Sequence, residues 1–124
     1  MKVRCVKLKI EKSYSTIITN SSVRSYLTIG SVFYVYGLRF SSDVIYVYIF
    51  EEAHIEHLFE VPIDLFEIVD EKCYPHWLIR RNSNDDITLW PELFYESDFL
   101  EKFSEFDSEE RKKFNSLQEL IEMT

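Results

Sequence analysis

The chain has 124 residues, with 14 Lys or Arg against 22 Asp or Glu, a formal net charge of −8, and 46% apolar against 29% charged content. This is the size and composition of one globular domain, which excludes an extended disordered tail. No run approaches the ~18 uninterrupted apolar residues of a membrane-spanning helix, and the start MKVRCVKLKIEK lacks the apolar stretch and cleavage site of a secretory leader, so a cytoplasmic chain is expected.

Residues 2–10, KVRCVKLKI, read as a strand with a flaw. Val3 and Cys5 share one face, and Val6, Leu8 and Ile10 share the other, so a β-bulge near Cys5 and Val6 is expected to bring both sets to the core. Residues 13–25 read as a loop. The Asn20-Ser21-Ser22 match to a glycosylation sequon is chance without an export signal. SVFYVYGLRF (31–40) and VIYVYIF (44–50) read as strands joined by a hairpin loop at Ser41-Ser42-Asp43. Apolar groups on both faces of these runs suit a curled sheet that is covered on both sides. Gly37 marks a bend or a close backbone approach.

A turn at Glu51–His54 leads to a half-exposed strand over 55–61, which Pro62 ends. Residues 63–69 are expected to form a turn followed by a strand at FEIVD. A second hairpin joins HWLIRR (76–81) to DITLW (86–90) through Asn82-Ser83-Asn84-Asp85. From Pro91 the period changes. Phe99, Phe103 and Phe106 fall at i, i+4, i+7, and Phe114, Leu117 and Ile121 recur at helical spacing, so two amphipathic helices are expected. Asp98 with Glu101, and Asp107 with Glu110, have the spacing of capping boxes and place the starts near 98 and 107. The expected fold is α+β and mainly antiparallel β: a single domain (1–124) with a small SH3-like barrel or strongly bent sheet over 1–90 and two helices in an acidic part over 91–124. Its ten Phe, eight Tyr and two Trp can build a core without disulfide or metal. Cys5 and Cys73 read as two separate thiols.

Residues 91–124 carry ten acids and four bases, a net of 4 − 10 = −6, so three quarters of the negative charge lies on the helical part. That disfavours nucleic acid and points to a basic protein partner. The candidate binding residues are Glu51, Glu52, Glu96, Asp98, Glu101, Glu105, Asp107, Glu109 and Glu110. His54, His57, Cys73 and His76 have the residue types of a zinc site, but the spacing is imperfect: on one strand His54 and His57 would point to opposite faces, and only a turn at His54 would let them converge, so no metal and no cofactor are expected. Nothing matches a nucleophile elbow or a catalytic cysteine signature. Two glycines, Gly30 and Gly37, do not make a phosphate loop, and catalysis is not expected.

The stretches YLTIGSVFYVYGLRF, VIYVYIFEEAHIEHLFEVPIDLFEIVD and ITLWPELFYESDFLEKF resemble small bacterial immunity proteins of contact-dependent growth inhibition and related polymorphic toxin systems. The opening with Thr28, Gly30 and Phe33 also looks like that of SH3-like small β-barrels. The resemblance implies a non-enzymatic protein that binds one cognate toxin domain, for an acidic chain a basic nuclease, and blocks its active site or substrate surface. The alternatives are an SH3-like adaptor or regulatory module and, from another class, a small metal-dependent or nucleic-acid-processing enzyme.

Overall fold

The computed structural model describes residues 1–11, 16–18, 27–51 and 57–124. It is α+β. Among the described residues the strands are β1 (Lys2–Cys5), β2 (Lys9–Glu11), β3 (Thr16–Ile18), β4 (Val32–Tyr34), β5 (Gly37–Phe40), β6 (Ile45–Glu51), β7 (His57–Pro62), β8 (Phe66–Asp70), β9 (Leu78–Arg81) and β10 (Ile87–Trp90). The helices α1 (Phe99–Ser104) and α2 (Ser108–Glu122) close the chain. A three-stranded antiparallel sheet, β4-β1-β8, faces a five-stranded one, β7-β6-β5-β10-β9, while β2 and β3 form a separate two-stranded ribbon. The sheets do not close into a barrel, so the strongly bent alternative is the one observed.

The register makes the five-stranded sheet the middle of three layers. Leu38 lies opposite Val47, and Val47 opposite Val61, and this face packs on Val3, Cys5 and Phe66 of the smaller sheet. The residues between them in sequence face the other way. Tyr48 and Phe50 pack with Trp90, Phe94 and the helical Phe99, Phe103 and Phe114. Strand alternation thus splits the aromatic-rich runs between two cores.

The run 31–40 is two strands rather than one, because the chain changes sheets in its middle. Val35 donates its N–H to the Met1 carbonyl at 3.0 Å, and Tyr36 donates to Tyr48 at 2.8 Å, so two consecutive residues belong to different ladders. Gly37 follows this step, and its position is crowded: a Cβ there would lie 2.9 Å from Trp90 Cδ1 and 3.3 Å from the Leu89 carbonyl oxygen. Gly37→Ala is therefore expected to lower stability by about 1–3 kcal/mol through overpacking. Urea denaturation of the two proteins checks this; equal midpoints would mean that Trp90 yields freely.

The expected strand over 2–10 is likewise interrupted. β1 stops at Cys5, and the N–H groups of Val6 and Lys7 both turn to the Leu65 carbonyl, so two residues oppose one at the place where the bulge is expected. Val6 is left 42% exposed. The register does shift in the β1–β8 pairing, but between Lys2 and Val3. Thr16–Ile18, read as loop, pairs with Lys9–Glu11, and the rest of 13–25 lies outside the described residues. The turn and strand after Pro62 occur as expected, with a 3₁₀ turn at Ile63–Leu65 followed by β8.

The second hairpin closes through a type I turn and a left-handed residue. Asn82 donates to Asp86 at 2.8 Å, Asp85 donates back to Asn82 at 3.0 Å, and Asp85 has φ 70°. After β10 the chain makes a 3₁₀ turn at Glu92–Tyr95 that the periodicity does not signal.

Both helix starts fall where expected, for different reasons. The Asp107 carboxylate accepts from the N–H groups of Glu109 and Glu110 and caps α2. Asp98 makes no such bond before α1 and sits in the left-handed region at φ 61°. Phe106 is not part of the apolar stripe. It takes the left-handed position of a Schellman cap, with its N–H on Phe103 and that of Asp107 on Lys102, and is 54% exposed.

Candidate functional site

α1 buries Phe99 and Phe103 and exposes Glu101 in its first turn, and it is flanked by exposed Asp98 at its N-cap and exposed Glu105 at its C-cap. All three carboxylates are exposed, and among the described residues no cation pairs with them. The start of α2 continues the acidic surface with exposed Asp107 and Glu109.

The bases of this part are largely occupied. Lys113 lies between Glu96 at 3.3 Å and Glu110 at 3.4 Å, and their hydrogen bonds, Glu96 first, hold its ammonium above the ordinary lysine range. Lys112 stands 4.0 Å from Glu109 in an exposed pair of little energetic weight. Arg111 donates to the Phe103 carbonyl and stacks over Phe103 and Phe106 at 3.8 and 4.3 Å.

Of the candidate binding residues, Asp98, Glu101, Glu105, Asp107 and Glu109 are exposed in and beside α1 and the start of α2. Glu96 is exposed but engaged by Lys113. Glu110 does not belong with them: it is 8% exposed, because the first turn of α2 rotates its side chain inward toward Lys113. Glu51 ends β6, and Glu52 lies outside the described residues, as do the turn residues up to His54. Among the described residues no three His, Cys, Asp or Glu side chains converge as metal ligands. Cys73 is exposed, and His76 packs edge-on against Tyr74 at 5.4 Å.

Sequence reasoning missed a charged cluster on the helix-facing side of the central sheet. Arg39 on β5 forms a two-bonded pair with Glu60 on β7, at 2.9 Å from Nε and 2.5 Å from Nη2, and reaches Asp86 at 2.5 Å through Nη1. Its guanidinium also covers the Tyr46 ring at 4.4 Å, and the Tyr48 hydroxyl donates to Glu60. The 41–43 hairpin could have signalled that Arg39 faces Tyr46; nothing in the sequence signals that β7 sets Glu60 beside Tyr48.

Burial first, and then the Glu60 hydrogen bond, push the Tyr48 phenol well above its ordinary value of 10.0, while Glu60 holds the Arg39 guanidinium firmly charged. Such a tyrosine stays protonated. The cluster ties β5, β6 and β7 to the loop before β10. Because the folded-state pKa of Tyr48 lies above the unfolded one, its contribution to stability is complete below about pH 10 and is lost as pH rises above it. Tyr48→Phe is expected to flatten the alkaline fall in stability, read from denaturation midpoints at pH 8 and above. An unchanged alkaline slope would show that Tyr48 does not control it.

Two depressions adjoin the helices. One, of about 330 Å³, lies between Tyr48, Leu58 and Glu60 on the sheet and Leu100, Phe103 and Ser104 on α1. The other, of about 410 Å³, lies before β9, between His76, Trp77 and Leu78 on one side and Pro91, Leu93 and Leu117 on the other. The Trp77 indole is fixed there by its N–H on the Tyr36 carbonyl at 3.0 Å. The chain matches no family model, and neither a curated protein nor a solved structure matches it.

Proposed function

We propose that this protein is a cytoplasmic immunity protein that binds a cognate toxin domain, a basic nuclease, and neutralises it by covering its active site or substrate-binding surface. The reading rests on one observation above the others: Asp98, Glu101 and Glu105 are exposed carboxylates in and beside α1 that no lysine or arginine among the described residues neutralises. Such carboxylates repel nucleic acid and attract a surface built to bind it. The resemblance of the strand-rich centre to immunity proteins supplies the toxin as the partner. The protein acts by occupancy and not by turnover. Arg39, Glu60 and Tyr48 satisfy one another, which suits a strut better than a proton-transfer site.

The test uses a toxin domain sought in the reading frame next to this chain's own. Titrated into a fixed amount of active toxin, well above the dissociation constant, the protein is expected to complete inhibition near equivalence. Full protection at about one-hundredth of equivalence, far below what complex formation allows, or no protection at all, would overturn the reading.

A further inference from the structure

β9 is the edge of the five-stranded sheet, and its bond pattern shows which backbone groups are open. The Asn82 to Asp86 hydrogen bond closes the hairpin, and the register continues as Arg81 opposite Ile87, Arg80 opposite Thr88, Ile79 opposite Leu89 and Leu78 opposite Trp90. Alternation in an antiparallel ladder then turns the N–H and C=O groups of Leu78 and Arg80 toward β10 and those of Ile79 and Arg81 outward. Among the described residues no backbone bond reaches those outward groups.

The side chains of this edge are open on both faces. Leu78, Ile79, Arg80 and Arg81 are all exposed, Ile79 to 68%. The edge is nevertheless rigid: the Tyr95 hydroxyl donates to the Leu78 carbonyl at 2.9 Å and bonds the Thr88 hydroxyl at 2.6 Å, while its ring carries the Arg80 guanidinium at 4.0 Å. No carboxylate among the described residues pairs with Arg80 or Arg81. The depression beside Trp77 and Leu78 can receive one side chain of an added strand. Two copies pairing through β9 would crowd four arginines within one short ladder, which like-charge repulsion opposes.

We propose that the free edge of β9 is a strand-addition site for an extended segment of a partner protein, with apolar side chains opposite Leu78 and Ile79 and carboxylates opposite Arg80 and Arg81. Outward backbone groups supply the binding energy, and the arginines select the acidic strand. This site is independent of the carboxylates in and beside α1, which attract the opposite charge.

The probe is a capped octapeptide built around Glu-Glu-Val-Ile, compared with its Lys-Lys-Val-Ile counterpart and a neutral Ser-Ser-Val-Ile version. The acidic peptide is expected to bind at least about tenfold more tightly than the basic one, and to slow hydrogen exchange at the amides of Ile79 and Arg81. Ile79→Pro removes one outward N–H at an edge position and is expected to abolish binding. Should that variant fail to fold, the Arg80→Glu/Arg81→Glu double variant decides, with the preference inverted toward the basic peptide. Equal binding of the three peptides, protection elsewhere in the chain, or concentration-dependent self-association that protects the same two amides would overturn the proposal. Glu101→Lys should leave peptide binding unchanged, so this site and those carboxylates can fail separately.

Discussion

Phe114→Ala is expected to lower the stability of the protein by about 3–5 kcal/mol, a large share of the roughly 5–15 kcal/mol available to a domain of this kind. Phe114 is fully buried, and its ring touches three elements at once: Tyr36 before β5 at 5.2 Å, Phe50 on β6 at 4.8 Å and Phe103 on α1 at 4.8 Å. The neighbours cannot easily close the space. Phe103 is held by Phe99 and by the Arg111 guanidinium, and Phe99 in turn stacks on Phe94. The deletion therefore leaves much of its cavity open, in the core that fastens both helices to the sheet. Leu120→Ala, on the exposed side of the same helix, is the control and should stay within about 0.5 kcal/mol of the parent. Urea denaturation with equal slopes measures both. A loss as small for Phe114→Ala as for Leu120→Ala would mean that α2 does not depend on this ring.

That core was partly visible in the amino-acid pattern, and the reasons for each success and failure are local. Phe114, Leu117 and Ile121 follow the helical period and are buried, because an uninterrupted helix carries its period through. Phe106 obeys the same arithmetic with Phe99 and Phe103, but the helix ends before it, in a left-handed cap that spacing alone does not reveal. The hairpins at 41–43 and 82–85 were legible because turn chemistry is short-range. The division of 31–40 was not, since Val35 and Tyr36 are apolar in either sheet and only their long-range hydrogen bonds decide the step.

The candidate site shows the same division between local and distant information. Asp98, Glu101 and Glu105 are exposed in and beside α1, a helix that the sequence indicates. The pairing of Glu110 with Lys113 at i, i+3 is local to α2, but the sequence does not show that Glu110 is buried or that Arg111 stacks on Phe103 and Phe106, which needs α2 packed against α1. The Arg39–Glu60–Asp86 cluster needs β5, β7 and the loop before β10 brought together, at sequence separations of 21 from Arg39 to Glu60 and 47 from Arg39 to Asp86. Removing one partner strands the others in a partly buried place. Glu60→Ala is thus expected to cost about 2–3 kcal/mol in denaturant unfolding, more than an exposed pair such as Lys112 with Glu109.

Charge reversal on α1 gives the functional counterpart of these stability effects. Glu101→Lys/Glu105→Lys changes the formal net charge by +4, from −8 to −4, and converts two unpaired carboxylates to ammonium groups. If those carboxylates meet the basic surface of a toxin, the association rate should fall by roughly 10- to 100-fold at low salt. The difference from the parent should narrow as salt screens both proteins. Glu119→Lys/Glu122→Lys changes the net charge by the same amount at the far end of α2, and both residues are exposed. Comparing the two doubles separates local contact from overall attraction. A contact at α1 makes the first double much slower than the second, whereas a purely global effect slows them alike. Stopped-flow association at several salt concentrations reads the contrast directly. Parent-like rates for Glu101→Lys/Glu105→Lys at low salt would take α1 out of the interface and leave its carboxylates as a solvated face.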